Sequence, residues 1–123
     1  MQRPVPSIDV REAGRRLAAG GSDNRPPLLV DVREILEFVE FRATPAVLLP
    51  LSELVARRDE LPKDRPLLMI CRSGGRSLQA AAFLLTAGWT DVTNVAGGTI
   101  AWLTAGLAIS QGPPGPDAQA PSV

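Results

Sequence analysis

The chain has 123 residues and a formal net charge of zero, with 13 basic and 13 acidic side chains. This length fits one domain with its own hydrophobic core, and the balanced charge argues against a protein that binds nucleic acid through a broad basic surface. One cysteine and no histidine are present, which excludes an internal disulfide, histidine-based metal sites and Cys–His or Ser–His–Asp catalytic groups.

The first residues do not show the pattern of a secretory signal peptide. Residues 1–6 lack the apolar core of a signal peptide, and no apolar run in the chain approaches the ~18 residues that cross a membrane. We expect a cytoplasmic protein with no membrane partner, no nucleic-acid partner, no cofactor and no metal.

Short apolar runs and helical patterns alternate along the chain. Asp9, with Glu12 three residues later, is predicted to cap the first helix, and Ser52 is predicted to cap the third. Gly88 is the predicted C-terminal glycine of the fourth helix. Strands are predicted at 5–8, 28–32, 46–49, 67–70 and 91–95. Helices are predicted at about 9–19, 34–40, 52–60, 77–88 and 99–105.

This alternation predicts an α/β fold, in which a parallel sheet is covered by helices on both faces. Functional groups of such sheets lie beyond the carboxyl ends of the strands. Asp31, Arg33 and Cys71 all fall at such ends, so we expect them to share one edge of the sheet. The domain is predicted to cover residues 5–109. Residues 110–123 are rich in proline and glycine and poor in apolar surface, which predicts a disordered tail.

The segment around the single cysteine carries the strongest chemical signal. It follows an apolar run and precedes a helical pattern, so its thiol lies between a strand end and a helix start. Two glycines let successive backbone N–H groups curl around one point, and the helix N-terminus and two arginines add positive charge. Together these features favour a thiolate. The segment consists of Cys71, Arg72, Ser73, Gly74, Gly75, Arg76 and Ser77.

Simpler structural roles compete for several of these residues. A lone cysteine is commonly a small buried apolar residue, and Arg72 is equally compatible with an ordinary solvated side chain. Arg76 lies at a helix entrance, where the helix dipole disfavours a cation, and this placement indicates an anion nearby. Ser73 fits a turn residue, and Ser77 fits an N-cap with a hydrogen bond to sulfur as a secondary role.

Residues outside this segment have structural interpretations as well. Asp31 is expected to satisfy loop backbone groups and so to support the site. Arg33 is either a surface residue or a contact for a substrate anion. Trp89 and Trp102 are expected to pack in the core or at its edge. The pair Gly97–Gly98 precedes a helix, which favours tight backbone packing over a phosphate-binding turn.

Four segments together resemble the rhodanese (thiosulfate sulfurtransferase) domain in its single-domain form. The segment at the cysteine is moderately specific by itself, and the combination carries the resemblance over about residues 5–109. The segments are Leu29–Glu34 with Glu37 and Phe38, Leu49–Leu54, Cys71–Ser77, and Asn94–Gly98 with Ala101 and Trp102.

The resemblance implies a three-layer fold with a five-stranded, mainly parallel sheet flanked by helices on both faces. It implies a sulfurtransferase in which Cys71 accepts a sulfane sulfur as a persulfide and passes it to a thiophilic acceptor. The implied donor is thiosulfate or a persulfide, and the implied acceptor is a thiol, cyanide or a protein sulfur acceptor. The backbone N–H groups of residues 72–77 would hold the outer sulfur, and Arg76 matches the arginine of the family's loop.

One departure from the family pattern lies at residues 41–45. The family usually has Gly-His-Ile there, followed by a turn with proline and glycine, whereas this chain has Phe41–Pro45. Phe41 replaces a glycine that permits positive φ, and Pro45 stands where glycine is common. We expect a different local path for this segment.

Two classes of function remain open. One is an enzyme that transfers sulfur, and the other is a non-enzymatic module that senses sulfur or redox state or docks on a partner. The intact cysteine and loop favour the enzyme. Phosphatase-like chemistry on this fold uses a loop with five residues between cysteine and arginine, whereas four separate Cys71 from Arg76. The shorter loop fits a single sulfur atom better than a phosphate group.

Overall fold

Seven strands and five helices are present in the computed structural model, which describes residues 4–21 and 25–118. The strands are β1 (Ser7–Ile8), β2 (Leu28–Asp31), β3 (Arg42–Ala43), β4 (Val47–Leu48), β5 (Leu67–Ile70), β6 (Val92–Val95) and β7 (Ile109–Ser110). The helices are α1 (Val10–Ala19), α2 (Ile35–Glu40), α3 (Leu51–Arg57), α4 (Gly75–Thr86) and α5 (Gly98–Thr104).

The central sheet has five strands in the order β1-β6-β5-β2-β4, and every adjacent pair in it is parallel. This arrangement confirms the predicted fold class. The three inner strands, β6, β5 and β2, have a neighbour on each side, so their carboxyl ends lie in the middle of one sheet edge. Groups that follow β2, β5 and β6 are therefore brought together at that edge.

Successive side chains of a strand point to opposite faces of the sheet, and here both faces are buried. On β5, Leu67 and Met69 belong to the core that contains residues of α3 and α4. Leu68 and Ile70 belong to the core that contains residues of α1 and α5. This double burial explains why the strands are continuous apolar runs. Cys71 continues the series of Leu67 and Met69 and therefore lies on the α4 side.

Two of the predicted helix caps are wrong. Ser52 lies inside α3, after the N-cap residue Pro50, and its hydroxyl donates to the Glu34 carboxylate at 2.9 Å. Helix α4 begins at Gly75 because Gly74, with φ +118°, closes the turn earlier than the sequence pattern indicates. Ser77 is therefore a residue of the first turn, and its hydroxyl is available to the site.

The predicted cap of α1 is confirmed. The Asp9 carboxylate accepts a hydrogen bond from the Glu12 backbone N–H at 2.9 Å, which satisfies a free donor of the first turn. The helix ends at Gly20, which adopts a left-handed conformation with φ +76°.

Residues 41–45 lead into a small antiparallel sheet that the sequence predictions missed. Arg42 pairs with Ser110, and Ala43 pairs with Ile109. Phe41 has an extended backbone, with φ −168°, so this position needs no glycine in this chain. The segment thus follows a path that two residues of the C-terminal region stabilise by main-chain pairing.

The C-terminal segment contains β7 and a short 3-10 helix at Pro116–Ala118, and the disorder expected for residues 110–123 stays a prediction. The Gly112 N–H donates to the Val39 carbonyl at 2.8 Å, and the Gly112 carbonyl accepts from Arg42 at the same distance. Ala118 packs against the core. Both hydrogen bonds involve the backbone of Gly112, one with the Val39 backbone and one with the Arg42 side chain, and a pattern of apolar residues does not reveal them. Residues 119–123 lie outside the described residues.

Within the described ranges, no helix is long and apolar enough to span a membrane.

Candidate active site

Cys71 is the first residue after β5, at the middle of the carboxyl edge of the sheet. Its side chain is 2% exposed, so the thiol lies at the bottom of the turn that leads into α4. Arg72, Ser73 and Gly75 are exposed and form the outer surface of this turn. A reactant must therefore meet the backbone of the turn before it meets the sulfur.

Hydrogen-bond donors converge on the sulfur. The Gly74 N–H donates to Cys71 Sγ at 3.1 Å, and the Ser77 hydroxyl donates to it at 3.3 Å. The left-handed conformation of Gly74 points its N–H group toward the inside of the turn. Two groups thus lie within hydrogen-bonding distance of the thiol: the N–H of Gly74, and the hydroxyl of Ser77, whose bond to sulfur was expected as a secondary role.

These contacts decide the acidity of the thiol. Burial raises the pKa of Cys71, since a charged sulfur loses its hydration inside the fold. Hydrogen bonds from the Ser77 hydroxyl and from the backbone N–H groups of Ser77, Gly74 and Ser73 lower this pKa by more, and the net pKa lies below its ordinary value. The causes that lower the pKa of Cys71 are hydrogen bonds, whereas the sequence had suggested arginine charge as well.

Arg76 is paired with a carboxylate. Its two terminal nitrogens donate to the two oxygens of Glu37, at 2.7 and 2.8 Å. The hydrogen bond from Arg76 lowers the pKa of Glu37 to about 2, so Glu37 is an anion at neutral pH. The anion expected near Arg76 is thus a side chain of α2. Arg76 joins the first turn of α4 to α2 and lies beside the loop.

Asp31 and Arg33 form an ion pair in the interior, with side chains 0% and 1% exposed. The Asp31 carboxylate accepts from the Arg33 backbone N–H at 3.0 Å and from the guanidinium at 2.9 to 3.1 Å. Arg33 also donates to the Phe41 carbonyl at 2.7 Å. The Asp31 carboxylate thus satisfies a loop backbone group, and its support of the site stays a prediction. Arg33 is therefore buried rather than on the surface, and a contact between Arg33 and a substrate anion stays a prediction.

The start of α5 holds the backbone of the cysteine turn. The Thr99 N–H and hydroxyl donate to the Cys71 carbonyl at 2.8 and 2.9 Å, and the Ile100 N–H donates to the Arg72 carbonyl at 3.1 Å. A Cβ atom at Gly98 would lie 2.5 Å from the Arg72 carbonyl oxygen. The Gly97–Gly98 pair thus serves tight backbone packing. With their carbonyls bound outward, the peptides of the turn direct N–H groups toward the sulfur.

Two residues near the site were missed as site residues in the sequence. Glu37 was quoted only as part of a motif, although the placement of Arg76 indicated some anion. Asn94 lies on β6 and is 5% exposed, and its Oδ1 accepts a hydrogen bond from the Ser77 hydroxyl at 2.7 Å. The sequence could have indicated Asn94, because it is a polar amide in a strand predicted to be buried, and a buried amide needs hydrogen-bond partners.

The two tryptophans lie in the core, as predicted. The Trp89 indole N–H donates to the Leu61 carbonyl at 3.4 Å, and the Trp102 indole N–H donates to the Ala108 carbonyl at 2.8 Å. Neither takes part in the contacts around the sulfur.

Comparison with known proteins identifies the family. The family model of the rhodanese-like domain matches residues 9–105. The chain belongs to the rhodanese-like domain family. A sulfurtransferase of Allochromatium vinosum is 41% identical to this rhodanese-like domain over 105 residues, which are 85% of this chain and 94% of that protein. For two other curated relatives the matched region covers 45% and 62% of their length.

Solved structures have the same fold. A rhodanese-related protein of Thermoplasma volcanium superposes with a TM-score of 0.75 at 27% identity, over 85% of this rhodanese-like domain and 97% of that chain. A thiosulfate sulfurtransferase of Pseudomonas aeruginosa superposes with a TM-score of 0.77 at 27% identity, over 88% of this chain and 20% of that chain. Both agree with the predicted three-layer fold.

Proposed function

We propose that this rhodanese-like domain moves a sulfane sulfur from a small donor to a thiophilic acceptor through a persulfide at Cys71. The observation that carries the proposal is the convergence of the Gly74 N–H and the Ser77 hydroxyl on Cys71 Sγ, at 3.1 and 3.3 Å. Donors so placed stabilise a thiolate, which is the form of cysteine that attacks sulfur. The names of related sulfurtransferases support the same class of reaction.

The first half-reaction loads the cysteine. The Cys71 thiolate attacks the outer sulfur of thiosulfate, and a new sulfur–sulfur bond forms at Cys71. The sulfur–sulfur bond of the donor breaks, and its electron pair leaves with sulfite. With a persulfide donor the leaving group is a thiolate. Charge and electrons balance in both cases, so the step requires no redox cofactor.

The second half-reaction unloads it. A thiolate or cyanide attacks the outer sulfur of the persulfide, the bond to Cys71 breaks, and the Cys71 thiolate leaves. The same donors that lower the pKa of Cys71 stabilise this leaving group. The acceptor departs as a persulfide or as thiocyanate, and the thiolate is ready for another donor.

The exposed part of the loop would receive the donor. Arg72 is exposed beside the turn, so its charge would attract an anionic donor such as thiosulfate. The backbone N–H groups of the turn, from Ser73 to Ser77, would hold the outer sulfur of the persulfide. Arg76 would act through position, because Glu37 occupies both of its terminal nitrogens.

The pairing of Arg76 with Glu37 argues against phosphatase chemistry, which needs a guanidinium that is free to bind the phosphate oxygens. Purified protein can be assayed in parallel with thiosulfate plus cyanide and with a nitrophenyl phosphate. We expect thiocyanate to form and the phosphate ester to remain. Phosphate hydrolysis without thiocyanate would contradict the proposal.

The burial of Cys71, at 2% exposed, favours a second candidate. A buried thiol can accept a sulfur slowly and keep it, as a sensor or docking module would. Such a module would form the persulfide, yet it would release thiocyanate no faster than the Cys71→Ser variant. Multiple turnovers with cyanide would favour the enzyme over the sensor.

A further inference from the structure

Asn94 presents its amide oxygen to Ser77, one contact away from the reactive sulfur. It is 5% exposed and lies on β6, where it continues the series of Val92 on the α4 side of the sheet. The Ser77 hydroxyl donates to Asn94 Oδ1 at 2.7 Å, and Asn94 Nδ2 donates to Ser7 Oγ at 3.3 Å. The Ser7 hydroxyl donates to the Asn94 backbone carbonyl at 3.4 Å, so Ser7 is left to accept from Nδ2. These contacts direct the amide oxygen toward Ser77.

The Ser77 hydroxyl has one proton and more than one acceptor within reach. Among the described residues, these acceptors are Asn94 Oδ1 at 2.7 Å, the Gly74 carbonyl at 3.2 Å and Cys71 Sγ at 3.3 Å. The Gly74 carbonyl already accepts from the Leu78 N–H at 3.1 Å. An amide oxygen at 2.7 Å is a stronger acceptor than a neutral sulfur at 3.3 Å, so the proton lies toward Asn94 while Cys71 is a thiol.

Ionisation of Cys71 reverses this preference. Hydrogen bonds to an anion are about twice as strong as neutral ones, and a thiolate inside the turn has lost its hydration. The Ser77 O–H bond then turns from Asn94 Oδ1 to Cys71 Sγ by rotation, and no proton is transferred. Each ionisation therefore costs the hydrogen bond to Asn94. When the sulfur is neutral again, as in a persulfide whose charge lies on the outer sulfur, the hydroxyl returns to Asn94 and is not left unpaired in the interior.

We propose that Asn94 is a positioning residue of the sulfur-transfer site: it holds the Ser77 proton whenever Cys71 Sγ is neutral and releases it to the thiolate. Asn94 touches no reacting atom and acts only through Ser77. The proposal rests on the proposed function in one respect, that the Cys71 thiolate is the reacting group.

The Asn94→Leu variant tests the sign of this effect. Leucine has the same number of heavy atoms in the same branching but cannot accept a hydrogen bond. Without the competing acceptor, the Ser77 proton is available to the sulfur at no cost, and the pKa of Cys71 should fall. Damage to the packing of the turn would loosen the donors around the sulfur and raise this pKa, so a general structural effect has the opposite sign.

The measurement is the rate of alkylation of the full chain by iodoacetamide as a function of pH. We expect the midpoint for Asn94→Leu to move downward and alkylation below the wild-type midpoint to become about threefold faster. An unchanged or raised midpoint would overturn the proposal. Asn94→Ala should move the midpoint in the same direction, and it replaces the leucine variant if that variant does not fold. The variants keep the charged groups at this edge of the sheet, which are Asp31, Arg33, Glu37, Arg72 and Arg76.

Two further variants separate positioning from other effects of the substitution. In a Ser77→Ala background, Asn94→Leu should produce no further fall, because the hydroxyl that transmits its effect is gone. A fall of the same size there would contradict the role of Ser77. Thr93→Val changes a buried polar neighbour whose side chain points to the other face of β6, and it should leave the midpoint unchanged. Alkylation needs no sulfur donor, so a failure of sulfur transfer would overturn the proposed function and leave this result standing.

Discussion

The guanidinium group of Arg76 donates two hydrogen bonds to the carboxylate of Glu37, at 2.7 and 2.8 Å, and so joins α4 to α2. Both side chains are about one-third exposed, with 36% for Arg76 and 31% for Glu37. A pair this exposed contributes little to global stability, about 0–1 kcal/mol. Its main effect is local, because it holds the first turn of α4, which carries Ser77 and the donors around the sulfur.

Replacing the carboxylate should therefore impair sulfur transfer more than folding. We expect Glu37→Gln to reduce the transfer rate roughly five- to tenfold while the melting temperature changes little. The reason is that a neutral amide forms weaker hydrogen bonds with the Arg76 guanidinium than a carboxylate does. Combining it with Arg76→Ala should cost little beyond Arg76→Ala alone. Additive losses would show that the two residues act independently. Glu53→Gln weakens an arginine pair within α3 and provides the matched control, with no expected change in transfer.

Breaking the buried pair of Asp31 and Arg33 should instead reduce the stability of the fold. Asp31→Asn leaves the Arg33 charge in the interior without its counter-ion, and losing one partner of such a pair costs about 3–5 kcal/mol. Unfolding in urea measures this loss. Arg15→Ala breaks a pair whose arginine is 70% exposed, so it should change the stability far less than Asp31→Asn does. A similar small loss for Asp31→Asn would contradict the structural role assigned to the pair.

Tight packing at Gly98 can be separated from backbone conformation by a pair of alanine variants. Gly98 and Gly20 both have positive φ, +62° and +76°. A Cβ at Gly98 would lie 2.5 Å from the Arg72 carbonyl oxygen, whereas at Gly20 nothing lies within 4 Å. Gly20→Ala should cost about 1–2 kcal/mol from its conformation alone.

Gly98→Ala should cost more than that, and it should also raise the pKa of Cys71, because the turn must move away from α5. Urea unfolding and alkylation kinetics report the two effects separately. Equal stability losses for both variants, with unchanged alkylation, would show that the close approach has no influence on the site.

The position of the cysteine was predictable because it depends on local pattern. An apolar run, two glycines and a helical pattern predict a strand, a turn and a helix in any parallel α/β sheet, and the thiol falls between them. The start of α4 was not predictable in the same way. It depends on the φ of Gly74, which is set by the packing of the turn against Gly97 and Gly98.

The hydrogen-bond partners of the site residues could not be predicted from local sequence pattern either. Arg76 indicated an anion, yet its identity depends on how α2 and α4 lie across the sheet edge. Arg33 looked accessible because it follows a strand end, and only the fold shows that Phe41 covers it. The contact between Asn94 and Ser7 depends on the register of β6 with β1, which pairs residues 87 positions apart in the chain.

The C-terminal segment shows the limit of composition as a guide. Its proline and glycine content predicts disorder. Gly112 of this segment nevertheless forms hydrogen bonds with Val39 and Arg42, which composition does not reveal. We expect a chain that ends after Ser110 to melt at a clearly lower temperature than the full chain. A chain that ends after Ala118 retains all of the contacts described and should melt within about a degree of it. Equal melting of all three would contradict the docking of residues 112–118.

The central claim is that Cys71 carries the transferred sulfur. Intact-mass spectrometry of the purified protein after exposure to thiosulfate tests it most directly. We expect a gain of one sulfur atom that cyanide removes, and no gain in Cys71→Ser at an unchanged melting temperature, since a hydroxyl cannot hold a sulfane sulfur. An unmodified wild-type mass after exposure to both thiosulfate and a small persulfide, or an equal gain in the Cys71→Ser variant, would contradict it.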